Sequence, residues 1–266
     1  MNASRRNMLS LTAAGLIHVT ANPVEAISGE TASQDLLVRE AAQRGHTDLG
    51  WLKSYHSFSF GGYYDQRHMG FRSLRVINDD KIAAGRGFPT HPHRDMEIIS
   101  YVLQGSLQHK DSTGKGAIIT PDDIQMMSAG TGITHSEYNP SPNEANHFLQ
   151  IWIEPALRGV RPRYRENKVT LDQKLDQWNL IAGPDDSGAA VGIYQDAKIY
   201  ASKLQAGRSL EYTLERYRHA WLQVATGEIN VNGTTLKSGD AVASSRATEL
   251  HVTASQEADI LLFDLS

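Results

Sequence analysis

Two short runs hold the residues best placed to do chemistry: His91-Pro92-His93 and His135-Ser136-Glu137. In an extended strand, residues i and i+2 project from the same face, so each run sets two donor groups side by side. Pro92 favours an extended backbone at His91. A lone His-x-His pair is a common surface coincidence. A second pair of matching spacing on a neighbouring strand makes convergence on one point the better reading. The set is then three neutral imidazole nitrogens and one carboxylate, which suits one divalent transition metal ion (Fe, Mn, Co, Ni, Cu or Zn) rather than Ca or Mg. The chain has no Cys, which removes thiolate ligands, disulfides and cysteine nucleophiles together. One competitor stands: Glu97 lies four residues after His93, and spacing alone does not choose between Glu97 and Glu137 as the carboxylate ligand.

The elements that must position these groups read as strands. From Trp51 to Leu262, short apolar runs alternate with Gly, Asp, Asn and Pro turns, an all-β rhythm. Ile98 to Leu103 is apolar on both faces and turns at Gly105 into the polar stretch from Ser106 to Asp111, so the first of these two strands is buried. Ala117 to Thr120, Ile124 to Met127, Ile133 to Tyr138 and Phe148 to Ile153 continue the series, and a small β-barrel or sandwich is the economical container. A short polar helix is expected from Gln34 to Arg44. Between Glu154 and Gln177 the rhythm stops in a charged stretch, read as the connection between a domain at 27–153 and another at 178–266.

The second half echoes the first, because Leu222 to Ala241 repeats its order of strand, glycine turn, strand and acidic turn. Setting Gly227 on Gly105 puts Thr213 and Glu215 where His91 and His93 stand, and no His-x-Glu pair follows. The second barrel is therefore expected to hold no metal, with His219 and His251 as packed or surface residues. His56, in an aromatic strand, reads as a core histidine satisfied by backbone rather than a pocket-lining one, and His109 and His147 read the same way. Gly85-Arg86-Gly87 and Gly130-Thr131-Gly132 open no helix, so they are barrel turns and not phosphate cradles.

A formal net charge of −4 over 266 residues and a pI near 6.3 leave no basic footprint for nucleic acid or anionic lipid. A small neutral or anionic ligand is the default partner. Ahead of the strands, Arg5-Arg6 precedes a mildly apolar, acid-free run from Leu9 to Ala21 and a small-x-small site at Val24-Glu25-Ala26. Residues 1–26 read as a twin-arginine export signal, too short and polar to span a bilayer, which implies a periplasmic protein exported folded.

At Gly87-Phe88-Pro89-Thr90-His91-Pro92-His93-Arg94-Asp95-Met96-Glu97, Ser128 to Glu137 and Leu149-Gln150-Ile151-Trp152, the sequence closely resembles the pirin family, over nearly everything from Gly45 to Leu265. The resemblance implies a bicupin: two tandem jelly-roll β-barrels, the first binding metal and the second not. It assigns His91, His93, His135 and Glu137 as ligands, gives Glu97 a supporting role, and makes iron the leading metal. Bacterial members include quercetin 2,3-dioxygenases, which open a flavonol ring with dioxygen and release carbon monoxide, so a small aromatic substrate and dioxygen are the implied partners. Glu137 is then ligand and general base together. The eukaryotic relative is an iron-dependent transcriptional co-regulator. A redox-sensing or protein-binding module is thus one alternative, and a cupin enzyme acting on another small molecule is a second.

Overall fold

The computed structural model describes residues 36–266, and the export-signal reading of residues 1–26 lies outside them. The first barrel closes a seven-stranded sheet over a four-stranded one. The larger sheet runs in the order Arg163–Lys168, Asp123–Ser128, Glu97–Gln104, Asn146–Ile153, Leu74–Ile82, Leu52–His56, Gly45–Asp48. The smaller runs Gly87–His93, Ile133–Tyr138, Leu107–Asp111, Gly116–Ile119. The second barrel repeats the plan. Its larger sheet is Leu37–Arg39, Ala241–Ser244, His219–Thr226, Ala258–Leu265, Ala197–Leu204, Asn179–Gly183, Val191–Gly192, and its smaller sheet is Ser209–Thr213, Glu249–Ala254, Glu228–Val231, Thr234–Lys237. Among the described residues, no helix is long and apolar enough to cross a membrane.

Glu97–Gln104 is apolar on both faces because both are covered. Ile99 and Tyr101 join Leu149, Ile151, Trp221, Leu261 and Phe263 in one core cluster that runs from barrel to barrel. The larger sheets thus meet through their outer faces, with the Phe58 and Trp221 ring centroids 4.8 Å apart. Burying each large apolar side chain there is worth about 1.5–3 kcal/mol. Tyr101 ties the seam further, its hydroxyl donating to Asp259 Oδ1 at 2.8 Å.

Three expectations are corrected. The stretch from Glu154 to Gln177 contains the strand Arg163–Lys168, paired with Asp123–Ser128, and a one-turn helix, Leu171–Lys174. That strand is a half-exposed edge with charges on both faces, which protects the edge but erases the apolar alternation by which strands are read. In place of a helix from Gln34 to Arg44, the described part of that span holds the strand Leu37–Arg39, paired into the second barrel, and a single 3-10 turn, Ala41–Gln43.

The third correction is one of register. Val231 pairs with Val252 as His109 pairs with Glu137, and Leu250 pairs with Tyr212 as His135 pairs with His91. Tyr212 and Leu214, not Thr213 and Glu215, therefore stand where His91 and His93 do. The chain has one residue more between Leu214 and Gly227 than between His93 and Gly105, and in a strand a slip of one residue swaps faces.

Candidate metal centre

The antiparallel pairing of Gly87–His93 with Ile133–Tyr138 sets His135 opposite His91. The register shifts between His135 and Glu137, so that Glu137 pairs with Phe88, a bulge that re-aims the side chains around it. Gly87 permits the close approach of these strands, since a Cβ there would collide with the Glu137 carbonyl. The rings of His91, His93 and His135 form a triangle, with centroids 4.5 Å apart for His91–His135 and 4.8 Å for each of the other pairs. One ring nitrogen from each lies within 4.8 Å of the others. Glu137 makes a second group within the same limit with His135 and His109.

The hydrogen bonds around the triangle decide which nitrogens are bare. His91 Nδ1–H donates to the Pro89 carbonyl at 2.8 Å, which leaves Nε2 as a lone pair. His109 Nε2–H donates to Asp111 Oδ2 at 3.1 Å, so His109 Nδ1 faces His135 Nδ1–H, 3.4 Å away, as an acceptor. That relay leaves His135 Nε2 bare, and both His135 Nε2 and His93 Nε2 are buried with no partner. Burial, chiefly, and the neighbouring imidazoles push His93 down to about 4 and His135 down to about 3, so both are neutral donors at neutral pH. An orphaned buried polar group costs about 1–3 kcal/mol, and a cation at the centre of the triangle satisfies these together. The donor set fits a divalent transition metal ion. His109, with both nitrogens engaged and Tyr164 stacked on it at 4.9 Å, has none to offer.

The two glutamates are differently employed. Glu97 Oε2 accepts from Ser128 Oγ at 2.7 Å and from the Tyr194 backbone N–H of the second barrel at 3.2 Å, so it ties the seam. Glu137, two residues along the strand from His135, reaches across the barrel interior to the larger sheet. Its Oε2 accepts from Gln150 Nε2 at 2.9 Å, and Ser100 Oγ stands 3.2 Å from its Oε1 and 2.9 Å from Gln150 Oε1, donating its one proton to either. Ser100 and Gln150 belong to a polar row crossing five adjacent strands in register: Gln125, Ser100, Gln150, Asn78 and His56. Sequence reasoning missed this row because its members are isolated polar residues far apart in the chain.

His56 is corrected here as well. Its Nδ1–H donates to Asn78 Oδ1 at 2.8 Å and its Nε2 lies 2.9 Å from Thr47 Oγ1, so side chains rather than backbone satisfy it, and it lines the cavity in front of the histidines. That cavity has a volume of about 440 Å³ and apolar walls that include Phe60, Phe88 and Trp152. It falls in the size range of small-molecule sites. Elsewhere, His147 Nε2 pairs with Asp79 at 2.6 Å, the His219 ring meets Phe71 edge-on, and His251 lies exposed between Glu211 and Glu249.

Comparison with known proteins agrees with this architecture. Residues 37–153 match the family model described as Pirin, and residues 180–265 match that of the quercetinase C-terminal cupin domain. A protein named quercetin 2,3-dioxygenase from Escherichia coli (strain K12) is 42% identical over 86% of this chain and 98% of its own length. A pirin-like protein of Caulobacter vibrioides is 39% identical over 83% of this chain and 95% of its own. The crystal structure of the bacterial pirin YhhW from Escherichia coli in complex with nickel(II) superposes with a TM-score of 0.82 at 41% identity, covering 86% of this chain and 98% of that one. With identity of this order spread over both barrels, this chain belongs to the pirin family.

Proposed function

We propose that His91, His93, His135 and Glu137 hold one divalent ion, iron in the first instance, and that the cavity in front of them is the site of a dioxygenase. The substrate is a flavonol such as quercetin, opened by dioxygen with release of carbon monoxide. The observation carrying this reading is the pair of buried imidazole nitrogens, on His93 and His135, left without a partner beside an aromatic-walled cavity that His93 lines. The names of the curated relatives support it. When bound, the ion supplies a Lewis acid and an electron path between substrate and dioxygen.

The chain's own residues do the rest. Trp152, Phe60 and Phe88 hold a flat aromatic and exclude water. Glu137 receives the proton of the substrate hydroxyl, acting as general base. A carboxylate holding a cation would be a weak base, so the proton would go to an oxygen the ion does not hold, and Gln150 and Ser100 are placed to steady the carboxylate. The Arg5-Arg6 pattern supports a periplasmic setting for this work.

Oxygen uptake by the metal-loaded protein with quercetin, run beside a His91→Ala, His93→Ala double variant, tests the reading. Uptake with carbon monoxide release, lost in the variant, is expected. Uptake by the parent no greater than that of the variant overturns it.

A further inference from the structure

Two neighbouring strands of the larger sheet line the cavity opposite the histidines, through Leu52, Ser54 and His56 on one and Asn78 and Asp80 on the other. Nearly every polar group on this wall has a protein partner. Asn78 and His56 satisfy each other, and Thr47 completes the ring of His56. Asp80 is the exception. It is 3% exposed, lines the cavity, and its Oδ1 has no hydrogen-bond partner. Its counterpart by strand register in the second barrel is Ser202, whose hydroxyl donates to the Lys174 carbonyl, so the corresponding place in the other barrel is satisfied from within.

Burying a carboxyl oxygen with no donor costs free energy that a core without a ligand gains nothing by bearing. A ligand hydroxyl entering the cavity removes that cost. Leu52 and Phe88 also line the cavity, which suits a ligand whose remainder is a flat ring. When ionised, the carboxyl only accepts hydrogen bonds, which selects an O–H donor over an ether or a carbonyl.

We infer that Asp80 is the specificity-determining residue of a hydroxyl subsite, accepting a hydrogen bond from a phenolic O–H of the substrate remote from its metal-seeking end. This rests on the proposal that the cavity is the substrate site, and it narrows the substrate class to polyhydroxylated aromatics. Asp80 does not act on the reacting carbon. It sets which ring enters and how that ring lies.

The test uses binding, so that it does not depend on turnover. Quenching of tryptophan fluorescence, with Trp152 in the cavity wall, gives the affinity of the full metal-loaded chain for quercetin and for 3-hydroxyflavone, which lacks the remote hydroxyls. The parent is expected to prefer quercetin, and Asp80→Leu to lose about tenfold or more of that preference, the size of a buried hydrogen bond to a carboxyl group. Asp80→Asn, which keeps a carbonyl acceptor, is expected to restore part of it. Metal content and melting temperature establish that both variants are folded and loaded. The same result in a parent that consumes no oxygen upholds the subsite while the dioxygenase reading falls. A preference unchanged in Asp80→Leu, or a parent with no preference, including one that binds neither compound, overturns the inference.

Discussion

The two barrels are built on one plan of seven strands over four, yet one interior carries a polar row and the other is mostly apolar. In the first, the row Gln125, Ser100, Gln150, Asn78, His56 crosses the larger sheet. In the second, the same strand positions hold Val242, Leu222, Leu262, Tyr200 and Leu180. The positions proposed as ligands change in step, with Tyr212, Leu214, Leu250 and Val252 standing for His91, His93, His135 and Glu137. Leu214, Leu222, Val242, Leu250, Val252 and Leu262 share one core cluster. The fold therefore does not require the polar row. On the proposed ligand assignment, the first barrel keeps it because metal ligands and their supports need partners, and the second shows what the same framework does when freed of that need.

Replacing polar residues of the first barrel with apolar ones tests this reading, beginning with the largest effect. His135→Leu combined with Glu137→Val, copying Leu250 and Val252, is expected to take bound metal from about one ion per chain to under a tenth while the chain stays folded. Elemental analysis beside a thermal melt checks this, and retained metal breaks the comparison. Next is Asp80→Leu. Burial raises the Asp80 carboxyl from 3.8 to about 7, with Asp79 and Glu137 adding to the rise and the Ser54 hydroxyl opposing it. The folded state then holds a proton that the unfolded state releases between those values, so the parent loses stability as pH rises from about 4 to 7 and is level above that. At about 1.4 kcal/mol per pH unit, the advantage of the variant should grow across that window toward roughly 4 kcal/mol. Denaturant unfolding at pH 4, 5.5 and 7.5 measures it, and an advantage that does not change with pH contradicts the assignment.

Gln150→Leu, copying Leu262, removes the amide donor to Glu137. Quercetin-dependent oxygen uptake is expected to fall by about 10–100-fold, the usual cost of losing a group that orients a metal ligand. Steady-state rates at saturating quercetin check it. The smallest effect serves as the control: Tyr101→Phe removes the hydroxyl bound to Asp259 at the seam and should cost about 1 kcal/mol of stability, with metal content unchanged.

The sequence revealed much of this, and where it fell short the reason is physical. His91-Pro92-His93 and His135-Ser136-Glu137 are local patterns whose strand geometry follows from adjacent residues, so the histidine triangle could be anticipated. The choice between Glu97 and Glu137 could not be made from spacing, because it depends on the face each presents, and Glu97 turned out to be occupied by Ser128 and Tyr194. His109 looks like any core histidine until the pairing of Ile133–Tyr138 with Leu107–Asp111 brings it against His135. The polar row was invisible for the same reason. His56 and Asn78, or Ser100 and Gln150, are neighbours only through register, and register is a property of the assembled sheet.

The most direct test of the account is the anomalous scattering map of crystals of the metal-loaded protein. It should show one peak per chain, within coordination distance of His91, His93 and His135, with Glu137 turned toward it. A peak on His109, a peak inside the second barrel, or none in a protein shown to carry metal would contradict it.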